Sequence, residues 1–230
     1  MAHTRLDSDE RRKAIVQAAV PLFAKNGFAG TTTRELAEAA AISEALLFKH
    51  FPSKQLLYRE ILRLGCEGDP ALERLAALPP STAALVRMMH FMVRHFLIGD
   101  ERDRAEMDSR LRLVLYSCLE DGDYARQLFE AIFERVHPLF AASVEAAKRA
   151  GDLRGGPVAA GNAFWFSQHV AAMIASMRLP GDSCVPYQGN VEELVDQASW
   201  FILRGLGLRD EAIAASLVPG DAILQHTEPV

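Results

Sequence analysis

Four neighbouring residues near the N-terminus carry side chains suited to reading the edges of nucleic-acid bases. Glu44, Ala45, Lys49 and His50 are spaced so that they lie on the outward side of one short helix. A carboxylate such as that of Glu44 can accept a hydrogen bond from the amino group of cytosine, and the ammonium of Lys49 can donate to guanine. The alternative interpretation is a solvated helix face, so the elements that position this helix decide between the two.

Local capping signals define two short helices in this region. Thr32 with Glu35 forms the capping-box pattern and predicts a helix from about Thr33 to Ala40. Ser43 is a preferred N-cap and predicts a second helix over residues 44–50. Two short helices joined by a three-residue turn are typical of a helix-turn-helix motif, in which the outward side of the second helix faces a DNA groove.

Longer helices flank this pair. The first begins within Asp7–Glu10, and Gly27 is suited to end it in a left-handed conformation. Pro21 lies inside this helix and should bend it, because proline removes one backbone hydrogen bond. Ser53 predicts the cap of a further helix that begins at Lys54.

Residues 12 to 57 resemble the N-terminal domain of the TetR family of transcriptional regulators. The resemblance covers about a fifth of the chain and rests on many residues at fixed spacing: Ile15, Ala18-Ala19, Leu22-Phe23, Gly27-Phe28, Thr31-Thr32-Thr33, Leu36-Ala37, Ala40, Ile42-Ser43, Leu47-Phe48, His50-Phe51, Lys54 and Leu57. By analogy with the family, Thr33, Arg34, Lys49 and Lys54 would contact DNA phosphates, while Glu44, Ala45, Lys49 and His50 would contact base edges.

Two residues depart from the family pattern. Ala41 stands where the family usually has a turn glycine, and an alanine with positive φ would cost roughly 1 kcal/mol. Phe48 stands where a tyrosine is common, so a hydroxyl contact to phosphate would be missing. Neither change argues against DNA binding.

Charge is divided unevenly along the chain. The net charge of −5 suggests at first that nucleic acid is not a partner. Residues 1–54 nevertheless carry +2 and the remainder carries −7. The small positive bias therefore falls on the module expected to contact phosphates.

The rest of the chain also reads as helical. Apolar residues recur at intervals of three and four, and no convincing alternating strand is found. We therefore predict an all-α protein of about nine helices: an N-terminal three-helix helix-turn-helix domain over residues 1–54, then a larger helical domain over residues 55–217. Residues 218–230 are predicted to be a flexible tail.

The resemblance implies that the larger domain binds a ligand and forms a homodimer through its last two long helices, within Val158–Leu179 and Val191–Gly205. The first of these is rich in small residues and the second has an apolar stripe. The expected interface residues are Ala163, Phe166, Ala171, Leu194, Ala198, Phe201 and Ile202. A monomeric pair of core helices is the alternative.

A pocket for a small, mostly apolar ligand is the other expectation for this domain. Methionine and aromatic residues suit an adaptable apolar cavity. The candidates are Phe91, Met92, His95, Phe96, Leu111, Val114, Tyr116, Phe129, Phe133, His137, Trp165 and His169. Plain core packing is the alternative for each of them, and Pro138 is expected to kink the helix that contains three of them.

Enzymatic and metal-dependent functions find no support in the sequence. No nucleophile elbow, phosphate-binding loop or zinc-protease motif is present. Glu134 and His137 form a single E-x-x-H, whereas a di-iron bundle needs two such motifs and two further glutamates. We therefore expect no catalysis, no metal and no cofactor.

The three cysteines, Cys66, Cys118 and Cys184, are far apart and odd in number, which favours a reducing cytosol. The first ten residues are polar, and Val158 to Leu179 is interrupted by polar residues, so neither a signal peptide nor a membrane span is expected.

The combined prediction is a cytoplasmic homodimeric regulator, expected to be a repressor, that a small effector releases from a palindromic DNA operator. Ala41 and Phe48 leave one alternative open, in which an all-helical protein has lost operator recognition and acts through a protein partner.

Overall fold

A computed structural model describes residues 8–66, 77–99 and 101–217 of the chain. Within these residues it has ten helices: α1 (Ser8–Gly30), α2 (Thr33–Ala39), α3 (Glu44–His50), α4 (Lys54–Cys66), α5 (Thr82–Leu97), α6 (Glu101–Leu119), α7 (Asp123–Arg149), α8 (Ala160–Ser176), α9 (Val191–Gly205) and α10 (Asp210–Ser216). Among the described residues the only extended pairing is an isolated bridge between Leu153 and Leu208. The all-α prediction is therefore confirmed.

The chain divides into two compact units. The first combines residues 8–66 with 105–131, and the second combines the described residues of 68–104 with 132–217. The domain boundary predicted at residue 54 falls inside the first unit, because Leu57 and Ile61 of α4 belong to its core. The tail predicted for residues 218–230 lies outside the described residues.

The core of the first unit joins residues that are far apart in sequence. Phe23 of α1, Leu36 of α2, Leu47 of α3 and Leu57 of α4 are all almost fully buried. Leu113 of α6 is buried in the same cluster. The short helices α2 and α3 therefore depend on this shared core, since helices of seven residues are marginal on their own.

Helix α1 continues through Pro21, and the backbone departs from helical geometry at Gly27 instead. Gly27 has φ of 72° and ψ of 176°. The positive φ agrees with the prediction, but ψ is extended rather than left-handed helical, and this conformation is essentially restricted to glycine. The residue thus redirects the chain toward α2.

The second unit is built mainly on α5, α8 and α9. Leu85 and Val93 of α5 are fully buried, as are Ala171 of α8 and Val195 of α9. Asn190 caps α9 through a complete capping box with Glu193, which fixes where this helix begins. Helix α7 runs without interruption through Pro138.

Candidate nucleic-acid interface

The helix-turn-helix forms as its capping signals predict. The Thr32 hydroxyl accepts a hydrogen bond from the Glu35 backbone N–H, and the Glu35 carboxylate accepts one from the Thr32 N–H at 2.8 Å. The Ser43 hydroxyl accepts from the Leu46 N–H at the start of α3. The backbone N–H and the hydroxyl of Thr32 both donate to the charged Glu35 carboxylate, which lowers the pKa of that group.

The turn between the two helices is closed by Ala41 in the left-handed conformation, with φ of 53°. The Ala41 N–H donates to the Glu38 carbonyl, and the Ile42 N–H donates to the Ala37 carbonyl at 3.0 Å. This pair of bonds is the Schellman arrangement that usually carries glycine at the left-handed position. The turn keeps the geometry expected for glycine although alanine occupies it.

One side of α3 is exposed and the other is buried. Leu47 is buried in the core, whereas Ala45, Phe48 and Lys49 are exposed. Glu44 is also exposed, but its carboxylate accepts a hydrogen bond from the Thr33 hydroxyl at 2.9 Å, which ties the start of α3 to α2. The side chains available on this face are therefore a small apolar group, an aromatic ring and an ammonium.

Thr33 and Arg34, the two phosphate-contact candidates on α2, lie beside this face. The Arg34 guanidinium pairs with Glu38 one turn later at 2.9 Å, with both side chains mostly exposed. Hydrogen bonding to Glu38 raises the pKa of Arg34, so its charge is retained. A pair this exposed contributes little to stability and leaves the guanidinium able to exchange partners.

Arg12 of α1 secures the end of α3, a role that sequence reasoning missed. Its guanidinium donates to the His50 carbonyl at 2.5 Å and lies 4.3 Å from the centre of the Phe51 ring. It also forms a 3.5 Å ion pair with Glu60 of α4. No local pattern signals this contact, because Arg12 and His50 are 38 positions apart.

The surroundings of His50 favour the neutral form of its ring. Burial lowers the pKa of the imidazole, and the positive charges of Arg11, Arg12 and Lys49 lower it further. A neutral ring can donate from one nitrogen and accept at the other, which suits contact with a base edge.

Lys54 is used differently from the phosphate contact suggested by the family. Its ammonium donates to the carbonyls of Phe28 and Thr31 at 2.7 and 2.8 Å and lies 4.2 Å from the centre of the Phe28 ring. Burial lowers the pKa of this group, while Glu120 opposes the shift. Two of the three ammonium donors therefore join α4 to the end of α1.

Four of the pocket candidates lie in the first unit and the other eight in the second. Leu111 is buried, and Val114 packs against the core that supports the helix-turn-helix. The Tyr116 hydroxyl donates to the Lys25 carbonyl at 3.0 Å. Phe129 also belongs to this unit.

The Tyr116 ring and the Glu120 carboxylate close over the glycine that ends the regular part of α1. A Cβ atom at Gly27 would lie 3.2 Å from the Tyr116 ring and 3.1 Å from the Glu120 carboxylate. The Ala29 N–H points at the same carboxylate, at 3.4 Å. Segment 105–131 therefore helps to hold the turn that leads into α2.

The remaining pocket candidates lie in the second unit, in two groups. Phe91, Met92, His95 and Phe96 lie on α5, where Phe91 and His95 stack with centroids 5.6 Å apart. The other four, His137, Phe133, Trp165 and His169, form a continuous stack across α7 and α8, which we call the aromatic ladder. Its centroid separations are 4.1, 5.6 and 6.2 Å, and successive rings are nearly parallel.

The dimer candidates separate into exposed and buried sets. Phe166 and Phe201 are 58% and 68% exposed. Ala171, Ala198 and Ile202 are instead buried within the chain itself, so they are not exposed to a second copy; Ala163 and Leu194 are half-buried. Met173 and Trp200 are exposed in addition. Met173 lies two turns after Phe166, a spacing that could have identified it.

No group of three or more metal-ligating side chains occurs among the described residues. Of the cysteines whose side chains are described, Cys118 and Cys184 are free and exposed. The same part of the chain contains no helix that is both long and apolar enough to cross a bilayer.

Known proteins share this helix-turn-helix arrangement. Residues 15–61 match the family model described as bacterial regulatory proteins, tetR family. The transcriptional regulator AcrR of Shigella flexneri is 26% identical over 158 residues, which cover 65% of this chain and 72% of AcrR. The repressor KstR2 of Rhodococcus jostii strain RHA1 is 43% identical over 134 residues, which cover 49% of this chain and 65% of KstR2. These relatives are transcriptional regulators rather than enzymes.

The fold agrees with solved structures. AibR, whose crystal structure contains isovaleryl coenzyme A and operator DNA, superposes with a TM-score of 0.64 over 84% of this chain and 97% of AibR, at 17% identity. This likeness shows the fold alone. The family model, for its part, shows that residues 15–61 form an N-terminal domain of the tetR family of bacterial regulatory proteins.

Proposed function

We propose that the protein is a homodimeric transcriptional repressor that binds a palindromic operator and is released from it by a small, mostly apolar effector. The observation that carries this proposal is the exposed face of α3, where Ala45, Phe48 and Lys49 stand opposite the buried Leu47. A recognition helix reads base edges with such a face in the major groove.

The chemistry of this face favours particular contacts. The Lys49 ammonium suits guanine O6 and N7, and the apolar pair of Ala45 and Phe48 suits a thymine methyl group. Glu44 has its carboxylate engaged by Thr33, so a cytosine contact from Glu44 would require that bond to rearrange. Thr33 and Arg34 remain the candidates for phosphate contact, whereas Lys54 serves the fold of the domain.

Exposed apolar side chains on α8 and α9 support the homodimer. Phe166 and Met173 of α8 and Trp200 and Phe201 of α9 leave large apolar groups in contact with solvent in a single chain. Clustered exposed aromatic residues of this kind are unusual on a monomer and typical of an interface. A two-fold axis would place one α3 in each half of a palindrome, with half-sites roughly 34–36 Å apart or a multiple of it.

An apolar effector is supported by the composition of the second unit and by the relatives. Its α7 and α8 contribute the aromatic ladder, and α5 contributes a second aromatic group. The related fold of AibR was solved with an acyl thioester and operator DNA bound together. An effector that binds better to a conformer unsuited to the operator shifts the population away from DNA.

Operator selection tests the recognition role. Random duplexes enriched on the full chain should yield a palindrome, and Lys49→Ala should weaken binding to it by about tenfold or more, since one good base contact is worth about 1–3 kcal/mol. Gln127→Ala, an exposed change on α7, is the matched control and should leave affinity unchanged. Enrichment of no palindrome at low salt would favour the alternative of a protein-interaction module.

Sedimentation tests the dimer. Phe201→Asp should convert the wild-type dimer to a monomer at micromolar concentration, because it places a charge in the proposed apolar interface. Val158→Asp, at another exposed apolar residue, controls for added charge outside α8 and α9. A wild-type chain that sediments as a monomer would refute this part of the proposal.

A further inference from the structure

Three polar side chains on α7 and α8 have buried atoms that lack a hydrogen-bond partner among the described residues. These atoms are His137 Nε2, Ser143 Oγ and Gln168 Oε1. Ser143 is 0% exposed and Gln168 is 7% exposed. Buried polar groups are nearly always paired, so each unpaired atom calls for an explanation.

Comparison with other serines shows that Ser143 is exceptional. Ser167, Ser176 and Ser199 lie within helices, are buried, and donate to the carbonyl four residues earlier at 2.8, 2.7 and 2.7 Å. Ser143 lies within α7 and is equally buried, but its hydroxyl has no such partner. The hydroxyl is therefore available to a group that is not part of the helix.

The three residues lie along the helices that carry the aromatic ladder. The His137 ring lies 5.6 Å from the Phe164 ring and 6.3 Å from that of Phe140, and these two phenylalanines are 5.4 Å apart. Gln168 follows Phe164 by one turn of α8, and Ser143 follows Phe140 by nearly one turn of α7. Aromatic surfaces and unpaired polar atoms thus occur on the same two helices.

We propose that this region, consisting of the aromatic ladder with Ser143 and Gln168, binds the effector, and that the effector is a flat aromatic compound carrying a hydroxyl group, a phenol being the simplest. The inference rests on the effector-released repressor proposed above. A flat ring can stack on the nearly parallel rings of the ladder. The two wider centroid separations, 5.6 and 6.2 Å, are those between Trp165 and its neighbours Phe133 and His169.

The hydroxyl follows from the hydrogen-bonding capacity of the unpaired atoms. The amide oxygen of Gln168 can only accept, so its partner must donate. A phenolic hydroxyl can donate this hydrogen bond, and its oxygen can accept one from a further donor. An acidic or purely hydrocarbon ligand would leave the Gln168 oxygen unpaired.

Stability of the ligand-free protein provides a first test. Ser143→Ala and Gln168→Leu remove an unpaired buried polar atom, so they should hold or raise the thermal midpoint, by up to about 2–4 °C. Ser199→Ala is the matched control at an equally buried serine and should lower the midpoint, because it removes a formed hydrogen bond. A fall for Ser143→Ala and Gln168→Leu as large as that for Ser199→Ala would overturn the proposal.

Binding of two probes of equal shape provides the second test. We would titrate the full-length protein with 4-ethylphenol and with 4-ethyltoluene and follow Trp165 fluorescence, with Trp165→Phe as the control that loses the response. The phenol should bind at least about tenfold more tightly, because a site built around unpaired polar atoms rejects a ligand without the matching group. In Gln168→Leu the two affinities should agree within about twofold.

Two results would overturn the proposal: equal binding of both probes by the wild-type protein, or a phenol preference that survives in Gln168→Leu. Failure of 4-ethylphenol to bind would overturn it as well. Operator binding measured without probe tests the repressor proposal by itself, so the failure of one is distinguishable from the failure of the other.

Discussion

Replacement of Ala41 by glycine should stabilise the protein. Ala41 closes the turn between α2 and α3 at φ of 53°, and its side chain is exposed. The methyl group therefore contributes little packing that the substitution could remove. The Schellman hydrogen bonds from Ala41 and Ile42 use backbone atoms only, so glycine retains them.

The expected gain follows from two opposing terms. An L-residue in the left-handed region costs roughly 1–2 kcal/mol, which glycine removes. Glycine also adds freedom to the unfolded chain, which offsets about 0.4–1 kcal/mol of that gain. The difference leaves a rise in the free energy of unfolding of about 0–1.6 kcal/mol, centred near about 0.8 kcal/mol. At about 2–4 °C per kcal/mol for a chain of this length, the central value raises the thermal midpoint by about 2–3 °C.

The assay is thermal unfolding of the two variants Ala41→Gly and Ala39→Gly, followed by circular dichroism. Ala39 is exposed at the last position of α2, where glycine should lower the free energy of unfolding by about 0.5–1 kcal/mol. Amide exchange at Ile42 reports the turn directly, since its N–H donates to Ala37. Equal destabilisation by both substitutions would refute the assignment of left-handed strain to Ala41.

Four further predictions concern the first unit. Lys54→Met should lower the free energy of unfolding by about 1.5–3 kcal/mol, because it removes charged hydrogen bonds to two carbonyls. Lys49→Met should instead weaken operator binding with little effect on unfolding. Equal effects of the two variants in denaturant titrations would contradict this separation. Because the pKa of His50 is lowered in the folded protein, the unfolded chain binds the proton of this histidine first as the pH falls. The contribution of His50 to stability is therefore present above pH 6.5 and declines below that value. His50→Gln should remove this decline from urea titrations. DNA phosphates should raise the same pKa, so operator affinity should increase from pH 7.5 to 6 in the wild type and stay flat in His50→Gln, as measured by fluorescence anisotropy. Phe48→Tyr should strengthen operator binding by up to about tenfold through one added hydroxyl contact, without a change in thermal midpoint; an unchanged affinity would indicate that position 48 does not reach the DNA backbone.

Local signals predicted the helix-turn-helix closely because its determinants act over three or four residues. Thr32 caps α2 through Glu35, and Ser43 caps α3 through Leu46. Both caps can therefore be predicted from residues that are close in sequence. The positive φ of Gly27 is also local, since glycine favours it, whereas the positive φ of Ala41 occurs in spite of the residue type.

Contacts between distant parts of the chain could not be predicted in this way. Tyr116 and Lys25 are 91 positions apart, and the tyrosine reads equally well as a pocket residue when only its helix is considered. An apolar stripe likewise does not distinguish a core from an interface, which is why Ala171 and Phe166 were assigned together although one is buried and the other exposed. Burial is a property of the folded chain, and the periodicity of one helix reports only which residues share a side.

The engagement of Lys54 has a consequence for how operator affinity responds to salt. Counterions leave DNA when protein cations neutralise phosphates, and the slope of log affinity against log salt is about −0.9 per phosphate contacted. Two of the three ammonium donors of Lys54 are bound to the Phe28 and Thr31 carbonyls, so we expect Lys54 to add nothing to that count. A dimer would therefore release about two counterions fewer than the number of basic residues in the domain implies. Its affinity for DNA would accordingly depend less steeply on ionic strength.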